Sequence, residues 1–162
     1  MVLNESDERE LRQAVTDAAA RSDVAAGVEA IYAELSRRIE QRRPVCVVSG
    51  RCCRFEDYGH RLYVTTAELA TFVRAAGGLP AGQDNPGGCR FQVNKLCTVH
   101  TARPFGCRIF FCDSTASEWQ QQQYEVFHTE LKRLHDQLDV PYFYVEWRAA
   151  LEALSEGFPK AR

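Results

Sequence analysis

All seven cysteines of this 162-residue chain fall between positions 46 and 112. They are Cys46, Cys52, Cys53, Cys89, Cys97, Cys107 and Cys112, and the flanking segments hold none. Thiols gathered in one window constrain the fold. They suit a soft metal ion or an iron–sulfur cluster, and such a group cross-links whatever segments ligate it. Core packing alone gives cysteines no reason to collect there, although any single one can act as a small buried hydrophobe. Seven is also odd, so a set of disulfides leaves one thiol over. Metal coordination is therefore expected over disulfides.

Charge narrows the partners. There are 20 basic and 22 acidic residues, a formal net charge of −2, which makes no general electrostatic case for nucleic acid or an anionic membrane. The start, MVLNESDERE, has neither a basic n-region nor an apolar stretch, and no run approaches a membrane span. The expectation is a cytoplasmic protein with reduced thiols, no membrane contact and no nucleic-acid partner. Hydrophobic residues make up 45%, enough for the core of one domain over 1–162. Three parts are expected within it: N-terminal helices over 1–44, a cysteine core over 45–113 and C-terminal helices over 114–162.

Periodicity supports those flanks. Ser6 can cap a first helix through Leu11, Val15 and Ala18. Val24, Val28, Ile31, Leu35 and Ile39 then define a helix of about 20 residues, stopped by Pro44. Val45–Val48 and Leu62–Thr65 read as short strands. Thr65 and Glu68 form a capping box for a helix through Ala76, ended by Gly77-Gly78. Ala81 to Gly88 reads as a surface loop, and Arg90–Val93 with Leu96–Val99 as a small hairpin around Asn94-Lys95. Thr115 and Glu118 suggest a second capping box before a helix striped by Tyr124, Phe127, Leu131, Leu134 and Leu138. A last helix is expected over Val145–Ser155 with Gly157 as its cap. The fold class is thus mainly α, with helices flanking a central irregular cysteine-rich metal-binding region that carries short β-strands.

No Cys-x-x-Cys occurs, which disfavours zinc ribbons and thioredoxin-type redox pairs. The ligands must come from separate segments. The run Cys46-Val-Val-Ser49-Gly50-Arg-Cys52-Cys53 resembles the C-x-x-C-G-x-C-C signature of the YkgJ family of cysteine-cluster proteins, also described as zinc- or iron-chelating domains. The run from Cys97 through Arg103-Pro104 to Cys107-Arg108 is similar to that family's second signature. Ser49 stands where the family has its second cysteine, and serine is a poor ligand for soft metals. If that position ligates in relatives, Cys89 or Cys112 is the candidate to complete the set. Related domains occur in flagellin lysine N-methylases, where the resemblance implies a [4Fe–4S] cluster.

The remaining candidates support such a site. Arg103 and Arg108 bracket Cys107, as cofactor-binding residues toward cluster sulfurs or as loop ties; Arg51 and Arg54 flank Cys52 and Cys53. His100 is the one plausible histidine ligand but is not needed, and His128 and His135 read as structural. The leading expectation is a [4Fe–4S] cluster held by Cys46, Cys53, Cys97 and Cys107, with Cys52, Cys89 and Cys112 as substitutes or members of a second site. Two alternatives stand beside it. One is a metal-dependent enzyme, lysine N-methylase-like, acting on a protein substrate. The other is a closed structural zinc module that binds a protein partner. No glycine-rich phosphate-binding motif is present to hold a nucleotide-like co-substrate.

Overall fold

Asn4, two residues before the expected Ser6, begins the first helix. Its side chain accepts from the amides of Ser6 and Asp7, and Asp7 returns a bond to the Asn4 amide. The computed structural model describes residues 3–161. Among them are seven α-helices and four short strands, so the protein is mainly helical. Helix α1 spans Glu5–Ala19 and α2 spans Ser22–Arg42. Leu11 and Val15 of α1, with Val24, Val28 and Leu35 of α2, are fully buried, as their spacing requires. Arg43 closes α2 in the left-handed conformation.

The expected strand over 45–48 does not form. The segment pairs with no strand, Val48 turns to a φ of 53°, and its valines face solvent. β-branched composition favours a strand only where a partner edge and a buried face exist, and here there is neither. A 3₁₀ turn over Arg51–Cys53 and a one-turn helix α3 (Phe55–Tyr58) follow.

Strand β1 (Tyr63–Thr65) runs into α4 (Thr66–Ala76) through the expected Thr65–Glu68 capping box. Helix α4 packs against both α1 and α2 and is buried over most of its length. The hairpin of β2 (Gln92–Val93) and β3 (Leu96–Cys97) forms as read, with Asn94 and Lys95 both at positive φ. A short helix α5 (Phe105–Ile109) carries Cys107. The second capping box is absent: Asp113 instead caps a 3₁₀ turn, and α6 (Ser117–Leu138) starts behind it. Strand β4 (Tyr144–Glu146) pairs antiparallel with β1 and leads into α7 (Trp147–Ser155), capped by the Glu146 side chain. Glu156, not Gly157, ends that helix.

One core runs through all three parts of the chain, from Leu11 to Leu154. At its cysteine end, Phe72 meets Trp147 edge-on with ring centroids 5.1 Å apart, and Phe91 lies 5.6 Å from Phe72. Phe91 and Trp147 also line the cavity that the cysteines surround. A preformed metal-binding centre, the other half of the expected fold class, is not part of what the structure shows. Among the described residues, no three Cys, His, Asp or Glu side chains converge on a point where one ion would sit.

His135 of α6 is structural, as read, and its role is specific. Its Nε2 accepts from the Ala67 amide (3.3 Å) and its Nδ1 donates to the Val140 carbonyl (3.0 Å). The bond accepted at Nε2 requires the neutral ring, and burial lowers its pKa against the raising effect of the Val140 carbonyl. The folded value lies below the ordinary one, so stability is complete above about pH 6.5 and falls as pH drops through that value toward the folded pKa. Urea unfolding across that range is expected to show the loss in the parent chain and a flatter profile in His135→Phe.

Candidate metal centre

Each cysteine reaches the site from a segment fixed by backbone contacts. The Cys89 amide donates to the Cys53 carbonyl at 2.8 Å, joining two thiol segments 36 residues apart. Gln92 donates from its side chain to the Gly50 carbonyl at 2.8 Å, which ties the loop before Cys52 to the hairpin. Gly50 has φ of 73°, and a Cβ there would lie 2.7 Å from Gln92 Nε2 and 3.1 Å from Lys95 Cβ, so only glycine allows this approach. Cys107 is placed by α5, whose first amide, that of Phe105, donates to buried Glu68 at 2.8 Å.

These ties bring all seven cysteines to the lining of one cavity of about 300 Å³. Phe55, Phe91, Val99, Pro104 and Trp147 form its apolar wall. The cysteines are not equivalent. Cys53 and Cys89 are buried, Cys52, Cys97 and Cys107 half-buried, and Cys46 and Cys112 exposed. The Cys53 thiol lies 3.9 Å from that of Cys52 and hydrogen-bonds Cys52 and Cys89. By donating to Cys52 it lowers that thiol to about 6, with burial opposing and the Arg103 charge assisting. By donating to Cys89 it lowers that one to about 7, against burial. Cys53 itself is raised, because its proton serves both neighbours. Burial raises Cys97 and Cys107, so metal binding there displaces protons.

Ser49, in the cysteine position of the resembled motif, has its Oγ 3.3 Å from Cys112 Sγ. The exposed Cys112 therefore stands beside the position that the motif leaves without a thiol. Cys46, expected as one of four ligands, sits at the cavity mouth on the irregular 43–50 loop.

The arginines divide. Arg103 lines the cavity and donates to the His100 carbonyl at 2.9 Å. Arg108 does not line it: its guanidinium lies over the Tyr32 ring at 4.2 Å and donates to the carbonyls of Arg103 (2.6 Å) and Thr101 (2.8 Å). It is therefore a loop tie, holding through carbonyls the segment that presents Arg103. Arg54 pairs with Asp57 and Arg51 lies over Tyr58, so neither is the cation that acts on the thiols. His100 lines the cavity, with its pKa lowered by burial and by Arg103 and Arg108.

Three features escape a reading of the sequence. His60 places its Nε2 3.3 Å from the Cys52 carbonyl and stacks on Phe110 at 5.1 Å. A second cavity of about 280 Å³ adjoins the first and shares Cys52, Phe55, Cys107 and Phe110 with it. Trp147 lines the cysteine cavity, and its indole nitrogen is the one buried side-chain nitrogen or oxygen among the described residues with no hydrogen-bond partner. The indole near Cys89 adds to the lowering of that thiol's pKa, after the larger effect of Cys53. One signal was in the sequence: residues 42–55 and 86–112 hold eight of the 20 basic residues and none of the 22 acidic ones.

The donor set discriminates between metal groups. A single zinc ion draws four ligands to ~2.3 Å from one point. The cysteines here surround a cavity instead of converging. A polynuclear cluster has sulfides at its centre and takes thiolates from a wider perimeter, and it favours N–H donors aimed at sulfur. Cysteines around an apolar cavity, with an orphaned indole N–H, fit that group. Comparison of the chain with protein-family models, curated proteins and solved structures gives no match.

Proposed function

We propose that this chain is a metal-binding protein that holds an iron–sulfur cluster, of the [4Fe–4S] type, in the cysteine-lined cavity. The observation that carries the reading is the arrival of all seven cysteines, from four separated stretches of chain, at one cavity. Two motifs similar to those of the YkgJ family, built from five of the same cysteines, point the same way. Cys53, Cys97 and Cys107 are assigned as three ligands, and Cys89, beneath the indole N–H, as the fourth in place of the exposed Cys46. When bound, the cluster supplies one-electron redox chemistry or a Lewis-acidic iron. The chain supplies the rest. Its aromatic wall excludes water, Arg103 offsets negative charge, and Trp147 directs a hydrogen bond at sulfur.

Anaerobic purification after iron-replete expression tests this. Brown protein with broad visible absorbance, and iron and acid-labile sulfide in equal amounts, is expected. Colourless protein with one equivalent of zinc instead selects the structural zinc module. Trp147→Phe keeps the ring packing and removes the donor, so the cluster is expected to be retained with a lower reduction potential by protein-film voltammetry.

One observation favours a second, catalytic reading, in which the site modifies another protein as lysine N-methylases do. The adjoining cavity offers an open position for a substrate group beside Cys52 and Cys107. It ranks second because no glycine-rich phosphate-binding motif accompanies it.

A further inference from the structure

The mouth of the cysteine cavity combines exposed apolar side chains with positive charge. Val45, Val47, Val48 and Leu96 are 59%, 67%, 59% and 58% exposed, and three of them, Val47, Val48 and Leu96, line the cavity as well. They form one patch, because the Gly50 backbone lies against Lys95 and Gln92 holds the Gly50 carbonyl. Single exposed apolar residues need no explanation, but a group around a cavity mouth does. Val48 also sits at positive φ, a conformation that β-branched residues avoid.

The charge around that patch is mainly positive. Arg43, Arg51 and Lys95 are exposed beside it, and Arg103 lies just inside. None of the four pairs with a carboxylate among the described residues, whereas Arg54 is neutralised by Asp57. The nearest acid on the rim, Asp113, is used by the Val45 and Thr115 amides. The chain as a whole is slightly acidic, so this face departs from its average.

An apolar centre with a charged rim is the anatomy of a protein interface. Aliphatic valines offer no stacking platform for bases, which argues against single-stranded nucleic acid. We infer that the 43–51 loop and the 94–97 hairpin tip form a docking surface for a protein segment that carries carboxylates among apolar side chains. Such a partner covers the cavity mouth and steers to it by charge. The inference goes beyond cluster binding and does not depend on which metal the cavity holds.

Backbone NMR of the whole chain, as purified with its metal, tests it with defined probes. A short synthetic peptide alternating glutamate with leucine is expected to shift amides of 43–51 and 94–97. Its binding should weaken at least about tenfold as salt rises from ~0.01 M to ~1 M, where the screening length falls from about 30 Å to about 3 Å. The Arg43→Glu/Arg51→Glu/Lys95→Glu variant should lose binding while its visible spectrum and unfolding midpoint stay unchanged. A peptide alternating glutamate with serine should bind more weakly. No binding of the glutamate–leucine peptide, or shifts that map elsewhere, overturns the inference. So does tighter binding to the same face by a single-stranded oligonucleotide or by phosphatidylserine vesicles. Loss of metal with docking intact would defeat the cluster reading alone.

Discussion

Cys107→Ala is expected to strip the cluster, leaving at least about tenfold less iron per chain than the parent, since even supporting residues act on that scale. The thiol sits on α5 inside the cavity, and no spare cysteine shares that helix. Binding energy at such a site is also folding energy, so the thermal midpoint should fall with the iron. Cys53→Ala should behave likewise, because its residue is buried where the Cys52 and Cys89 thiols meet. Cys112→Ala and His100→Ala should keep both iron and fold, since both side chains lie exposed at the edge of the cavity. Iron and labile-sulfide analysis beside a melting curve reads all four. Iron retained in Cys107→Ala but lost in Cys112→Ala would place the cluster at the mouth and refute the assignment.

Glu68→Ala should be among the most destabilising single changes, costing about 3–5 kcal/mol. Its buried carboxylate accepts from the amides of Thr65 (2.9 Å) and Phe105 (2.8 Å), and from the hydroxyls of Thr65 (3.0 Å) and Tyr32 (3.3 Å). Alanine strands two buried backbone donors, each worth about 1–3 kcal/mol, and leaves a cavity. The same change releases the N-terminus of α5, so cluster retention should fall with stability. Burial raises the Glu68 pKa. A carboxyl whose folded pKa exceeds its unfolded value contributes stability at low pH, and that contribution is lost as pH rises through the folded value. Denaturant titrations above about pH 4.5 should show this decline in the parent chain and not in Glu68→Gln.

The helices were legible because each buries a stripe with a clear period and is bounded by short-range capping signals. The Thr65–Glu68 box shows this, as does the run from Val24 to Ile39. The errors lie where tertiary contacts override local ones. Helix α5 has no local cap, and the bond that starts it comes from Glu68, 37 residues away. Strand β4 follows Pro141, with only three residues in the ladder, and its partner is β1. The 45–48 segment has strand composition without a neighbour to pair with. At the site, the clustering of cysteines was visible as spacing. Which thiols lie deep was not, because depth depends on Trp147 and Phe91, whose positions are set by the core. Likewise, Arg103 and Arg108 look alike in sequence and separate only once Tyr32 takes the second guanidinium.

The pairing of Tyr63 with Glu146 sets an order of events during synthesis. Cys46 to Cys112 leave the ribosome well before β4 and Trp147, which close the structure behind them. At roughly 5–20 residues per second, the interval between Cys112 and Trp147 is a matter of seconds. Through that interval the thiols have lost the shelter of the nascent chain's exit path and have not gained the indole wall. A nascent chain stalled before β4 would therefore present Cys53 and Cys89 to oxidants and stray metal ions, whereas in one released past α7 both are buried.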